Sequence, residues 1–389
     1  MSVTTIALGK LRQLITQERK TLCLLFCIPV LYSVLFGFTY SANVIKHVPT
    51  VIYDQDGTAS SRSVVQAFYD SERYQIVGHA LTEDETEQYL FTGQALAAIV
   101  IPEGFARDIK LGLGSEIQVK LNANNLMYAN NVMGSSQEII QSLSVGTAQR
   151  LAESANQPPA QALKTAMPVK LGFRVLYNPA SSYSNFILPG MGATGLQLAI
   201  LIAVCTVLAG NNRFSWPGAS PVKVVIGVGL PYWFLAMLAY CSYLAVIVLG
   251  FGVPLRGSLL DLAIIGGAFT FAVIGVSFFF SAIASNEGEA VQLPLLYIMP
   301  AFLFSGYSWP DFAMSGFSSA FSTILPITYA AGTIRDIMLA GYAPELYKNA
   351  GILLVFGIIT AVLAALVLAQ SNKKAHNAGN TAGEEAVSL

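Results

Sequence analysis

Long charge-free apolar windows run through this sequence, and they leave few folds open to it. A membrane helix needs about 20 consecutive apolar residues to cross a hydrocarbon core of about 30 Å. Six windows bounded by charged residues meet that need: Lys20–Lys46, Arg174–Arg213, Lys223–Arg256, Asp261–Glu287, Glu289–Asp311 and Lys348–Lys373. A seventh, Phe312–Ile334, is charge-free but rich in Ser, Thr and Gly, with Pro326 near its middle. Broken backbone at membrane depth has to be sheltered by protein, so residues 312–334 read as short helices or a re-entrant segment. The expected fold is a polytopic α-helical membrane protein with six transmembrane helices, the first at 21–40 and the others within 181–372. Composition agrees: 54% of residues are hydrophobic and 11% charged, against about 25% charged in soluble domains. That excludes an ordinary soluble enzyme, a disordered chain and a nucleic-acid binder.

The charge is unevenly placed. The chain has 21 Lys and Arg and 22 Asp and Glu, and 23 of these lie between Ser41 and Ala180. Lys and Arg in short segments mark the cytoplasmic side. Lys10, Arg12, Arg19 and Lys20 precede the first window, Arg213 and Lys223 follow the second, and Lys373 and Lys374 follow the last. Six spans with both termini inside satisfy all three groups. Segment 41–180 is then extracytoplasmic and 373–389 a cytoplasmic tail. A signal peptide over residues 1–42 fits poorly, because the apolar run is long and no small-x-small site follows it.

Within 41–180 the pattern predicts an inserted α/β domain. VPTVIYD, YQIVGHA, ALAAIVIP and EIQVKLN read as strands, and SRSVVQAFYDSE, a helix capped at Thr82, EGFARDIKLG and residues 131–154 as helices. The strand ending Asp54-Gln55-Asp56-Gly57-Thr58 has the form of a phosphatase nucleophile loop, with one Asp as nucleophile and the other as general acid/base around Mg²⁺. The later Asp pair that such chemistry needs is missing, and an Asp-Gly turn explains the same residues. Two other readings therefore stand beside transport: a membrane-anchored phosphatase, and a surface receptor or scaffold. The four cysteines fall inside apolar windows and the three histidines are scattered, so no metal site is expected.

Two features lie at the expected inner face. Residues 1–20 form an amphipathic interfacial helix, with Ile6, Leu8, Leu11, Leu14 and Ile15 on one side and Lys10, Arg12, Gln13, Gln17 and Arg19 around the other. Glu287 and Glu289 sit in a short loop, where carboxylates are costly unless wet or paired.

Five stretches in order resemble the permease subunits of type-2 ABC exporters. They are Val51–Ser60, Gly93–Phe105, Tyr177-Asn178-Pro179 followed by Leu188-Pro189-Gly190, Phe302–Pro310 (FLFSGYSWP) and Leu325–Leu339 (LPITYAAGTIRDIML). The positions that carry the likeness include Asn178, Pro179, Pro189, Gly190, Gly306, Pro310, Pro326 and Arg335. The resemblance implies an exporter of an amphipathic or hydrophobic compound, such as a drug or lipid, in a bacterial cytoplasmic membrane. It implies a separate ABC ATPase subunit that binds ATP and Mg²⁺, a second permease copy (homodimer or heterodimer), and a possible periplasmic adaptor. The family's E-R-E-x-G-T loop is replaced here by Asn211–Gly218. No G-x-x-x-x-G-K-[ST] loop occurs in the chain, so no cofactor is expected on it. Arg12, Arg19, Arg213, Glu287 and Glu289 form the expected ATPase-coupling surface, and no catalytic residue is expected.

Overall fold

A computed structural model describes residues 1–41, 45–111, 113–121, 126–154, 158, 176–179, 181–210, 212, 215–216 and 218–387. The chain divides into two compact units, Met1–Asn43 with Val175–Leu389, and Val44–Arg174.

The first unit is helical and apolar. Among the described residues, five helices are long and apolar enough to cross a membrane: Arg19–Thr39, Tyr183–Val204, Pro221–Gly250, Leu259–Ile283 and Leu346–Lys373. Pro221–Gly250 ends in a π-helical turn, Val246–Gly250, and the last helix continues to Val387. Tyr183–Val204 and Leu259–Ile283 are the most buried. Lipid tails give no hydrophobic drive for helix association, so close approach over small residues has to supply it. Glycines lie where that approach is closest. A Cβ on Gly195 would fall 2.8 Å from Tyr32, one on Gly266 would press on the Tyr240 ring, and one on Gly275 would fall 2.7 Å from the Gly357 carbonyl. Buried hydroxyls bond back along their own helices, as Ser33 Oγ does to Pro29 O at 2.8 Å and Ser277 Oγ to Val273 O at 2.7 Å.

The fifth apolar window differs from the long helix expected of it. It forms a helix over Glu287–Ile298, a break at Met299-Pro300 and a four-residue helix, Ala301–Phe304. Pro300 lacks the N–H that would continue the ladder, and Pro294 already weakens the preceding turn. In the 312–334 segment there are only short pieces before Pro326: a 3₁₀ turn at Asp311–Ala313 and a helix at Gly316–Ser322. Pro326 does not interrupt a helix. It occupies the first turn of Pro326–Ala340, where its missing N–H has no intrahelical acceptor to lose.

The second unit has a four-stranded sheet in the order β2-β1-β3-β4, formed by β1 (Val48–Asp54), β2 (Tyr74–His79), β3 (Ala97–Ile101) and β4 (Gln118–Leu121). β1 is parallel to β2 and β3, and β4 is antiparallel to β3. Parallel neighbours need crossovers, supplied here by helices Ala59–Tyr69 and Glu83–Phe91. Ile52, Phe68, Ile99 and Ile101 are fully buried in its core. The Glu83 carboxylate, bonded to Lys120, holds that ammonium above its usual pKa, and Lys46 holds the Glu72 carboxyl below its own. Exposed pairs of this kind contribute little stability. The helix cap matters more: Thr58 and Ser61 each accept from the other's backbone N–H, at 3.2 and 3.0 Å. Thr58→Ala is expected to cost about 1 kcal/mol. Hydrogen exchange on the full-length protein should then speed up over residues 59–69 and stay unchanged over 183–204.

Candidate functional site

The amphipathic helix Val3–Thr16 packs along the Pro221–Ala245 helix, where a Cβ on Gly227 would fall 2.8 Å from Ile6. Its buried row is Ile6, Lys10 and Leu14, spaced four residues apart. Lys10 is therefore not on the polar face where the pattern put it. Its ammonium makes two bonds to the Glu18 carboxylate, at 2.7 and 2.9 Å, and sits 5.7 Å from the Tyr232 ring centroid. The pair satisfies a charge whose side chain is only 5% exposed.

Beside it opens a polar crevice of about 260 Å³, lined by Lys10, Gln13, Glu18, Thr206, Asn212, Trp216 and Glu287 among others. Three segments far apart in sequence meet there: the N-terminal helix with Glu18, the loop after Tyr183–Val204, and the start of Glu287–Ile298. Asn212 Nδ2 joins the last two, donating to Thr206 O at 3.1 Å and to Glu287 Oε1 at 2.9 Å. Arg12 and Arg19 are exposed near this site. Arg213 lies outside the described residues. Glu289 has a different task from Glu287: its carboxylate accepts from Ser285 N at 2.8 Å, while Asn286 Oδ1 accepts from Glu289 N at 2.9 Å. It is a helix-capping residue, so Glu287 is the carboxylate of that loop that faces the crevice. Lys10, Glu18 and Asn212 were not among the residues expected at the coupling surface. The one available signal was that Lys10 shares the four-residue spacing of Ile6 and Leu14.

The family-like positions converge elsewhere in the same unit, around Tyr307. Its hydroxyl donates to Phe186 O and accepts from Gly190 N at 3.2 Å. A Cβ on Gly190 would lie 2.6 Å from the Tyr307 ring, so only glycine leaves room for it. The Arg335 guanidinium stacks 4.9 Å from the Tyr307 centroid and 5.4 Å from that of Phe186, which partners its charge with two ring faces. Gly306 turns the chain into this position with φ +79°, beside Asp311. Pro310 caps the next turn, Pro189 is buried within its helix and Pro326 opens the helix that carries Arg335. Asn178 clasps the start of Tyr183–Val204: its Oδ1 accepts from Ser182 N and Asn185 Nδ2, both at 3.2 Å. Pro179 lies exposed in the adjoining turn.

In the sheet unit, the Asp54 and Asp56 carboxylates are taken up by their own turn and by the start of the helix Phe105–Lys110. Asp54 accepts from Asp56 N and Gly57 N, both at 3.1 Å, and from Ser61 Oγ at 2.7 Å. Asp56 accepts from Thr58 Oγ1 and, at 3.2 Å, from Ala106 N. This is the hydrogen-bonding pattern of an Asx turn leading into a capped helix.

The chain is similar to known transport proteins. The chain is 27% identical over 262 residues to the probable multidrug ABC transporter permease YbhS of Escherichia coli, a match covering 65% of this chain and 66% of that protein, just under two thirds of its length. It is 22% identical over 368 residues to the probable multidrug ABC transporter permease YbhR, covering 93% of this chain and 96% of that one. The inner membrane transport permease YhhJ of the same organism is 24% identical over 362 residues, covering 89% of this chain and 90% of its own. The profile of the ABC-2 family transporter proteins matches residues 19–366. With its long apolar helices the chain is a multi-pass membrane protein, and it belongs to the ABC-2 family of transporter proteins.

Proposed function

We propose that the chain is the membrane-spanning subunit of an ATP-driven exporter in a bacterial inner membrane, moving an amphipathic or hydrophobic compound outward. The observation that carries this reading is the crevice. An ATPase below the membrane can work on a permease only through its cytoplasmic surfaces, and three of those expected surfaces meet at one polar site that includes a buried ion pair. Asn212–Glu287 ties two of these segments together, and Lys10–Glu18 holds the N-terminal helix to the residue that opens Arg19–Thr39. ATP and Mg²⁺ belong to the separate ATPase subunit, and two permease copies make the membrane pathway. Both termini face the cytoplasm, with 287–304 as a broken fifth span and 41–180 outside. The names of YbhS and YbhR, which describe those proteins as multidrug permeases, support a drug-like cargo.

Transport by the reconstituted complex tests the reading. Inside-out vesicles holding the permease and its ATPase should accumulate an amphipathic dye with ATP and not without it. Glu287→Lys should impair uptake at unchanged levels of inserted protein, because it removes the Asn212 acceptor and places a cation near Lys10. Glu289→Gln, which keeps a capping acceptor, should leave uptake close to normal. Equal uptake by Glu287→Lys and the unchanged protein would remove that loop from the coupling site.

A further inference from the structure

A second cavity is unlike the first. It is a groove of about 660 Å³ with an almost wholly apolar lining, running between the helices Pro221–Ala245, Leu259–Ile283 and Leu346–Val387. Pro221, Ile226 and Trp233 line one wall, Phe278 the floor, and Val362 and Ala369 the other wall. The walls expose large apolar side chains, including Val222, Leu230, Ile358 and Leu366.

Contacts along the groove fix its polarity. Trp233 Nε1 donates to Gly267 O at 3.0 Å, and a Cβ on Gly229 would lie 3.2 Å from Phe278, so the first helix runs opposite to the second. Gly357 abuts Phe271, and Gly275 abuts Thr360, so the third runs along the second. Pro221 and Ala369 therefore lie at the same end. Two lysines stand at that end. Lys223 is in the first turn of its helix, and Lys373 continues the stripe of Val362, Leu366 and Ala369 by one more turn. Both lysines are exposed, and neither makes an ion pair among the described residues. The Ser220 side chain does not cap the helix that begins beside Lys223, which leaves its positive dipole end open.

Length identifies the occupant. From Pro221 to Trp233 a helix rises ~18 Å. That is about half of a ~30 Å hydrocarbon core, the depth of one leaflet, whereas a transmembrane helix would need the full thickness. We propose that this groove binds an acyl chain of an anionic phospholipid, with the headgroup held at Lys223 and Lys373. The proposal stands on the groove and its charges and does not depend on the cargo or direction of transport.

Trp233 makes the groove observable. With Trp216→Phe and Trp309→Phe, it becomes the sole tryptophan. This protein is placed in phosphatidylcholine vesicles containing either phosphatidylglycerol or phosphatidylcholine brominated in the distal half of the acyl chain. Half-quenching is expected at a roughly tenfold lower mole fraction of the brominated phosphatidylglycerol, given the attraction of anionic headgroups to lysines. Lys223→Gln with Lys373→Gln should bring the two curves together, and Ala365→Phe, which narrows the groove, should weaken quenching by both. Native mass spectrometry of the unsubstituted chain should show phosphatidylglycerol retained over phosphatidylcholine. Equal quenching by the two lipids would mean ordinary boundary lipid and would overturn the proposal. Quenching by neither would mean that a protein surface covers the groove, with the same consequence, and so would loss of all phosphatidylglycerol in the mass spectrum.

Discussion

Lys10→Met should lower the stability of the permease by roughly 2–3 kcal/mol and abolish most transport. The substitution leaves the Glu18 carboxylate half-buried without its cation. Breaking a fully buried pair costs about 3–5 kcal/mol, and the lower figure applies because Glu18 is still 27% exposed. The thermal midpoint of the solubilised protein should fall by about 5 °C or more. Lys10→Met combined with Glu18→Leu should recover most of that loss, since replacing both charges with apolar groups removes the stranded carboxylate. If the double variant is as unstable as the single one, the cost lies in Lys10 packing and not in the pair. Transport need not return with stability, because the double variant also loses the link between the interfacial helix and the start of the first span.

Gly190→Val should be the most damaging single change among the family-like positions. Its Cβ would press on a Tyr307 ring held on two sides, by the hydroxyl bonds to Phe186 and Gly190 and by the Arg335 guanidinium. Overpacking of this sort costs about 1–3 kcal/mol. The measurable consequence is reduced folded protein in the membrane, scored by monodispersity after extraction. Tyr307→Ala, which opens a cavity by itself, should partly rescue Gly190→Val when the two are combined. The interaction between them should exceed about 1 kcal/mol in the rescuing direction. Simple additivity would mean that Gly190 is needed for something other than room for the ring.

Much of the fold was legible because membrane insertion writes itself plainly into sequence. Windows without charge marked the five long apolar helices described, and the short apolar runs VPTVIYD and ALAAIVIP marked central strands of the sheet. The fifth window was less legible. Glu289–Asp311 is apolar throughout, yet Pro300 and the positive-φ turn at Gly306 break it, and apolarity alone does not report a broken ladder. The site was legible in its parts and not in its assembly. The sequence predicts Glu287 and the amphipathic N-terminal helix at one face of the membrane. It could not show that Asn212 bridges to Glu287, or that Lys10 turns inward to meet Glu18, because both depend on contacts between separate helices. Tyr307 illustrates the same limit. The stretches around Gly190, Gly306 and Arg335 stood out one by one, but nothing in their spacing identified the tyrosine on which they all converge.

The proposed coupling site can be tested most directly by site-specific photo-crosslinking in living cells. A photoreactive residue at Arg12 or Ser215, beside the crevice, is compared with one at Ser71 in the sheet unit. The expected result is a covalent adduct from both crevice positions to an ABC ATPase subunit, identified by peptide sequencing, with no such adduct from Ser71. An ATPase adduct from Ser71 would place the sheet unit on the cytoplasmic side and contradict the proposed orientation. The absence of an ATPase adduct from both Arg12 and Ser215, with the protein inserted at normal levels, would contradict the assignment of the crevice as the surface through which ATP hydrolysis drives this permease.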